Sequence, residues 1–188
     1  DVSGSMSGVP LSMCKDAMAE ALGKLRPVDT FNVITFESRT GKLFSTPRPA
    51  NDTNLKAATE FVDGLEAGGG TMMGLGVQEA LSPAVAQGRH RYVFFMTDGY
   101  IGNEATIMQG TRKLVRALER RGQKAKVFSF GTGSSTNRHL LDGLAAPLDE
   151  ADRLVDAARQ IDILEIEWHP TGAHPTAEGR GVVAILEV

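Results

Sequence analysis

Arg91-Tyr92-Val93-Phe94-Phe95-Met96-Thr97-Asp98-Gly99 is an apolar run that closes on Thr-Asp-Gly. An unbroken run of this kind marks a strand buried on both faces. In open α/β sheets, ligands bind beyond the carboxyl ends of strands. Asp98 therefore stands where a functional carboxylate is expected. The plainer reading of Asp98-Gly99 is a turn.

Two other stretches share this chemistry. The chain opens on Asp1-Val2-Ser3-Gly4-Ser5-Met6, which sets one carboxylate and two hydroxyls at alternate positions. On a loop leaving a strand end, these oxygens converge on one point, and Gly4 allows the tight turn that convergence needs. Oxygen-only ligands suit a hard divalent cation such as Mg2+ or Mn2+. The plainer reading makes Ser5 or Ser7 the cap of a helix beginning near Pro10. Gly68-Gly69-Gly70-Thr71 cannot favour a helix or strand interior. It reads as a loop that approaches another group closely and then offers the Thr71 hydroxyl. The plainer reading is a flexible linker with Thr71 as a helix cap.

Together the three stretches resemble the von Willebrand factor A domain. That family's metal-ion-dependent adhesion site combines Asp-x-Ser-x-Ser, a distant Thr and an Asp closing a later strand. The matching residues are Asp1, Ser3, Ser5, Thr71 and Asp98, in the family's order. The resemblance runs from residue 1 to about residue 145. Phe31 to Phe36, Ala67 to Thr71, Thr97 to Glu104 and Phe130 to Arg138 look like the inter-alpha-trypsin-inhibitor heavy-chain type. The resemblance implies an α/β fold: a Rossmann-like, three-layer α/β/α architecture with a mostly parallel central sheet. It also implies that Ser3 and Ser5 bind Mg2+ or Mn2+ directly, that Asp1 and Asp98 act largely through water, and that Thr71 or Asp98 contributes by conformation. The open position then takes an Asp or Glu from a protein partner. Relatives of this type favour an extracytoplasmic or cell-surface location.

In the family a hydrophobic strand runs into the Asp-x-Ser-x-Ser loop. This chain begins at Asp1 without it and reads as a fragment or processed piece. Gly181-Val182-Val183-Ala184-Ile185-Leu186-Glu187-Val188 looks like the missing segment and is a candidate for the vacant central slot; the other reading assigns it to a neighbouring module. The expected organisation is a domain over 1–168, then a linker and strand over 169–188.

Composition bounds the rest. At 188 residues and 41% apolar, the chain has the material for one sizeable core. A net charge of -3 gives no support for nucleic-acid binding as the main activity. No apolar run approaches the length of a membrane span. The one cysteine, Cys14, falls on an apolar helix stripe and reads as core.

Leu11, Cys14, Met18, Leu22 and Leu25 recur at helical steps. So do Leu55, Ala58, Val62 and Leu65, then Ile107, Thr111, Leu114 and Leu118, with Gly122 as a C-terminal stop. A helix is also expected over 75–85. Strands are expected over 31–36, 42–45, 92–96, 126–130 and 163–168, with helices over 137–146 and 149–161. Alternating helices and strands imply parallel strands joined by right-handed crossovers.

Enzymatic readings find little support. Asp1 resembles the nucleophile of a haloacid-dehalogenase-like phosphatase, but that chemistry requires a carboxylate where Ser3 stands. No general base, nucleophile or histidine accompanies the oxygen set. Gly131-Thr132-Gly133-Ser134 lacks the third glycine of a dinucleotide loop, at Thr136, and no P-loop lysine follows. His90, His139, His169 and His174 show no zinc-ligand spacing. Arg112, Lys113, Arg116, Arg120 and Arg121 read as the solvated face of a helix. Met72 and Met73 are candidates to rim the site with adaptable apolar surface, and core packing explains them equally well.

Overall fold

The strongest strand signals become the middle of a sheet because their side chains are apolar on both faces. In the computed structural model, which describes residues 1–97, 103–131 and 183–187, these are β1 (Thr30–Phe36), β4 (His90–Thr97) and β5 (Lys124–Gly131). Side chains alternate across a strand. Ile34, Phe36, Val93, Phe95 and Val127 therefore share one buried cluster. Phe31, Val33, Tyr92, Met96 and Phe128 face the other way.

Among the described residues, four helices cover the two faces. α1 (Val9–Gly23) and α2 (Asp52–Asp63) bring Leu11, Cys14, Met18, Leu22, Ala58 and Val62 against one face. α3 (Met73–Leu81) and α4 (Glu104–Glu119) bring Met73, Val77, Leu81, Ile107, Val115 and Leu118 against the other. The α/β/α layering follows from these faces. Pro10 sits in the first turn of α1, where its missing N–H costs nothing. α3 stops at Leu81, short of the expected end at 85, because Pro83 cannot continue a helix. The C-terminal end of α3 is instead closed by Arg91. This arginine is 1% exposed. Its guanidinium donates to the carbonyls of Ala80, Pro83 and Ala84 at 3.2, 2.7 and 3.2 Å.

The sheet order is β2 (Thr40–Lys42), β1, β6 (Val183–Glu187), β4, β5, with β3 (Arg48–Pro49) paired to β1. β6 lies between β1 and β4, in the central slot the sequence leaves open. Ile185 pairs with Asn32 on one side and Val93 on the other.

The sheet differs from the expected mostly parallel one. Among the described strands only β4 and β5 pair in parallel; β6 is antiparallel to both neighbours, and β2 and β3 are antiparallel to β1. β6 enters its slot against the direction of β1 and β4, and β2 returns through a short turn. The edge strand expected over 42–45 is also displaced. Leu43 N–H still bonds Val33 O at 2.9 Å. At Phe44 the Asn32 side chain replaces the backbone ladder, donating to its carbonyl at 2.8 Å and accepting from its N–H at 3.0 Å. Asp98, the helices expected over 137–146 and 149–161, the strand over 163–168, the glycine loop after β5, the linker, and His139, His169 and His174 lie outside the described residues.

The central position of β6 has a measurable consequence. Proline in a central strand removes a ladder donor and fixes φ. Ile185→Pro is expected to destabilise the chain by about 1–3 kcal/mol, the cost of leaving a buried ladder partner unsatisfied. Thermal unfolding followed by circular dichroism should show a fall of roughly 2–12 °C. An unchanged transition would mean that β6 is not held between β1 and β4.

Candidate functional site

The site is built at the carboxyl ends of β1 and β4. Past Phe36, the last residue of β1, the chain turns through Glu37–Arg39 into β2. The Phe36 carbonyl accepts from Val2 N–H at 2.8 Å, and Val2 O accepts from Gly68 N–H at 2.8 Å. The opening stretch is thus laid between a strand end and the glycine loop. Gly4 N–H donates to Gly69 O at 2.9 Å and closes the second link between the loops.

Within this frame the side chains of Asp1 and Ser3 are fully buried. A buried carboxylate is costly unless hydrogen-bonded. Asp1 Oδ1 accepts from the Ser3 N–H at 3.0 Å and from the Ser3 hydroxyl. Asp1 Oδ2 accepts from the Thr97 hydroxyl at 3.0 Å, across 96 residues of sequence. Ser3 Oγ lies 2.9 Å from Thr71 Oγ1. Asp1, Ser3 and Thr71, expected together from sequence, therefore come together here. Ser5 is carried, half-buried, on the 3-10 turn Gly4–Met6 that follows Ser3. Asp98, which follows Thr97, lies outside the described residues.

The plainer readings of these hydroxyls differ from what is observed. The N-cap of α1 is Gly8, not Ser5 or Ser7, and Ser7 Oγ donates to Gly4 O at 3.1 Å. The N-cap of α3 is Met72 and makes no side-chain capping bond. Thr71 stands just outside the helix with its hydroxyl on Ser3.

Three supports were not singled out in the sequence. Thr97 sits inside the quoted strand, but nothing in the pattern says that its hydroxyl reaches Asp1. Glu37 and Ser38 are the others. Glu37 O accepts from Met72 N–H at 2.7 Å, and Ser38 Oγ accepts from Gly70 N–H at 2.8 Å. The hairpin thereby clamps both ends of the turn carrying Thr71. The Glu37 carboxyl is held below the usual range, first by the Ser38 backbone N–H and then by Arg39. Gly69 has φ +71, and a Cβ there would run into the Glu37 carboxylate. This is the close approach that the glycine run implied.

Among the described residues, no three His, Cys, Asp or Glu side chains group as a metal site. The assembled set is instead rich in hydroxyls, with one carboxylate beneath them. Oxygen donors alone suit a hard cation and not a thiophilic one.

Comparison with known proteins identifies the family. The profile of the von Willebrand factor type A domain matches residues 1–148. The chain belongs to this family. It is 32% identical over 146 residues to a von Willebrand factor A domain-containing protein of Dictyostelium discoideum, covering 77% of this chain and 15% of that protein. It is 30% identical over 161 residues to human von Willebrand factor A domain-containing protein 5B1, covering 85% of this chain and 13% of that one. The chain thus spans a small part of these relatives' length. A solved von Willebrand factor type A structure from Catenulispora acidiphila superposes with TM-score 0.61 at 17% identity, over all of this chain and 56% of that one. BatB of Bacteroides thetaiotaomicron superposes with TM-score 0.56 at 14% identity, over 78% and 80% of the two chains. These two likenesses establish the fold. Domains of this family are generally protein-interaction modules and mostly non-enzymatic. None of the described helices is long and apolar enough to cross a membrane.

The Thr97 bond can be tested apart from any metal. A hydrogen bond to a charged group contributes about 1.5–3 kcal/mol. Thr97→Val should lose that amount in urea unfolding with chelator present. A loss within 0.5 kcal/mol would mean that Thr97 does not hold the carboxylate; that is roughly the scatter of surface substitutions.

Proposed function

We propose that this chain is a metal-dependent recognition module. Asp1, Ser3, Ser5, Thr71 and Asp98 would hold Mg2+ or Mn2+, and a partner protein would present an Asp or Glu carboxylate to it. One observation carries the reading: the Ser3 and Thr71 hydroxyls meet over the buried Asp1 carboxylate instead of capping helices. A bound cation would supply a concentrated positive charge that attracts an anionic group. Neutral hydroxyls neutralise little of that charge, and Mg2+ keeps waters that a carboxylate can replace. The part of the chain is to fix the oxygens. Asp1 holds Ser3, and the Glu37–Arg39 turn holds the Thr71 loop. Within the family, the stretches around Phe31, Gly68, Thr97 and Phe130 support the inter-alpha-trypsin-inhibitor heavy-chain type.

The buried hydrogen bonds joining the three loops favour one other reading, in which a cation serves only to stabilise them. Calorimetric titration with MgCl2 and MnCl2 separates the two. Saturable uptake near one ion per chain is expected, and Thr71→Val should weaken it at least tenfold while leaving melting in EDTA nearly unchanged. Pull-down of a partner should then require the ion and fail in EDTA or with Thr71→Val. Unfolding on chelation, with no ion-dependent partner, would favour the stabilising role. Phosphate-ester hydrolysis that depends on Asp1 would instead make the chain an enzyme.

A further inference from the structure

Large apolar side chains left in water need a reason when they gather in one place. Among the described residues four are exposed: Val9, Val28, Met72 and Leu75, at 67%, 67%, 52% and 37%. Three of the four lie within four positions of a candidate ligand. Met72 follows Thr71, Leu75 is four residues beyond Thr71, and Val9 is four residues beyond Ser5. Val28 sits before β1, at the end of the sheet away from the site.

The neighbouring residues show that this placement is selective. Met72 and Met73 are adjacent in sequence, yet Met73 is fully buried among Phe36, Val77 and Phe95 while Met72 stands out. Of the two readings of these methionines, core packing describes Met73, while Met72 is exposed next to Thr71. The Met72 backbone is not loose. Its N–H is bound to Glu37 O at 2.7 Å, and its carbonyl accepts from Leu75 N–H at 2.9 Å. This turn holds Met72, the N-cap, and Leu75, in the first turn of α3, one backbone hydrogen bond apart. Gly70 and Gly74, on either side of Met72, are exposed, and a Cβ on Gly74 would meet nothing within 4 Å. The result is an apolar ledge on an ordered backbone, open to an incoming group, one residue from the Thr71 hydroxyl.

We infer that the partner recognised at this site carries a large aliphatic or aromatic side chain beside its acidic residue, and that Met72 and Leu75 receive it. The inference rests on the metal-dependent reading above and specifies its ligand. A carboxylate alone satisfies the charge. The ledge adds burial of apolar area, which distinguishes an acidic residue in an apolar setting from one in a polar loop. Methionine suits this task because its flexible thioether adapts to differently shaped side chains.

The test compares two small carboxylates on the Mg2+-loaded chain, acetate and 4-methylpentanoate, by NMR titration. The branched acid should bind about tenfold tighter, the effect of burying a few carbon groups, and only when Mg2+ is present. In Met72→Ser/Leu75→Ser the two acids should bind alike, with Mg2+ uptake unchanged. Val28→Ser, at a still more exposed position at the far end, should keep the preference. If calorimetry shows no Mg2+ uptake, the metal reading fails and takes this inference with it. If Mg2+ is taken up but the acids bind equally, or not at all, or the double variant keeps the preference, this inference alone is overturned.

Discussion

Everything at the site follows from one buried carboxylate. Asp1 has no exposed surface. An ionised group in that position costs several kcal/mol unless donors surround it. The donors come from two distant parts of the chain: Ser3, two residues on, and Thr97, at the end of β4. Satisfying Asp1 therefore docks the opening loop onto the sheet. Ser3 Oγ then meets Thr71, and the glycine loop is drawn into the same place. A third loop joins because two others must satisfy one charge.

The sheet and the turn after β1 make this arrangement rigid. β1 and β4 end side by side only if something fills the space between them, and β6 fills it. Its backbone supplies ladder partners on both sides, so neither central strand is left with an open edge. The Glu37–Arg39 turn acts at shorter range. It ties Gly70 and Met72 through Ser38 and Glu37, and Gly69 lies too close to Glu37 for any side chain. Loop residues with little core contact are held by hydrogen bonds, which are directional enough to aim a hydroxyl. Met72 and Leu75 remain in water beside that hydroxyl because their backbone is fixed while α3 turns Met73 and Val77 inward.

Much of this was legible in the sequence. The runs at 31–36 and 92–96 announced central strands because burial on both faces demands unbroken apolar residues. The helical spacing of Leu11, Cys14, Met18 and Leu22 announced α1, since one face had to meet the sheet. Asp1, Ser3 and Thr71 were legible as one site only through the joint pattern of three stretches. What was not legible depends on contacts that carry no periodicity. Asn32 replaces a ladder at Phe44 with its side chain. Arg91 lies in β4 as its pattern implies, but nothing in that pattern says that its side chain closes the end of α3. Thr97 and Ser38 are ordinary hydroxyl residues until the fold brings them to Asp1 and Gly70. The direction of β6 could not be read either, because a short apolar strand has no polarity in its pattern.

The central claim is that the separate loops carrying Asp1, Ser3, Ser5, Thr71 and Asp98 surround a single divalent ion. Paramagnetic broadening by Mn2+ in the 15N-labelled chain tests it most directly. The account predicts that substoichiometric Mn2+ broadens the amides of residues 3–5, 68–71 and 97–99 together, that excess Mg2+ reverses the effect, and that Val28 stays sharp. Broadening that is absent from those three stretches, or scattered over surface carboxylates and untouched by Mg2+, would contradict it.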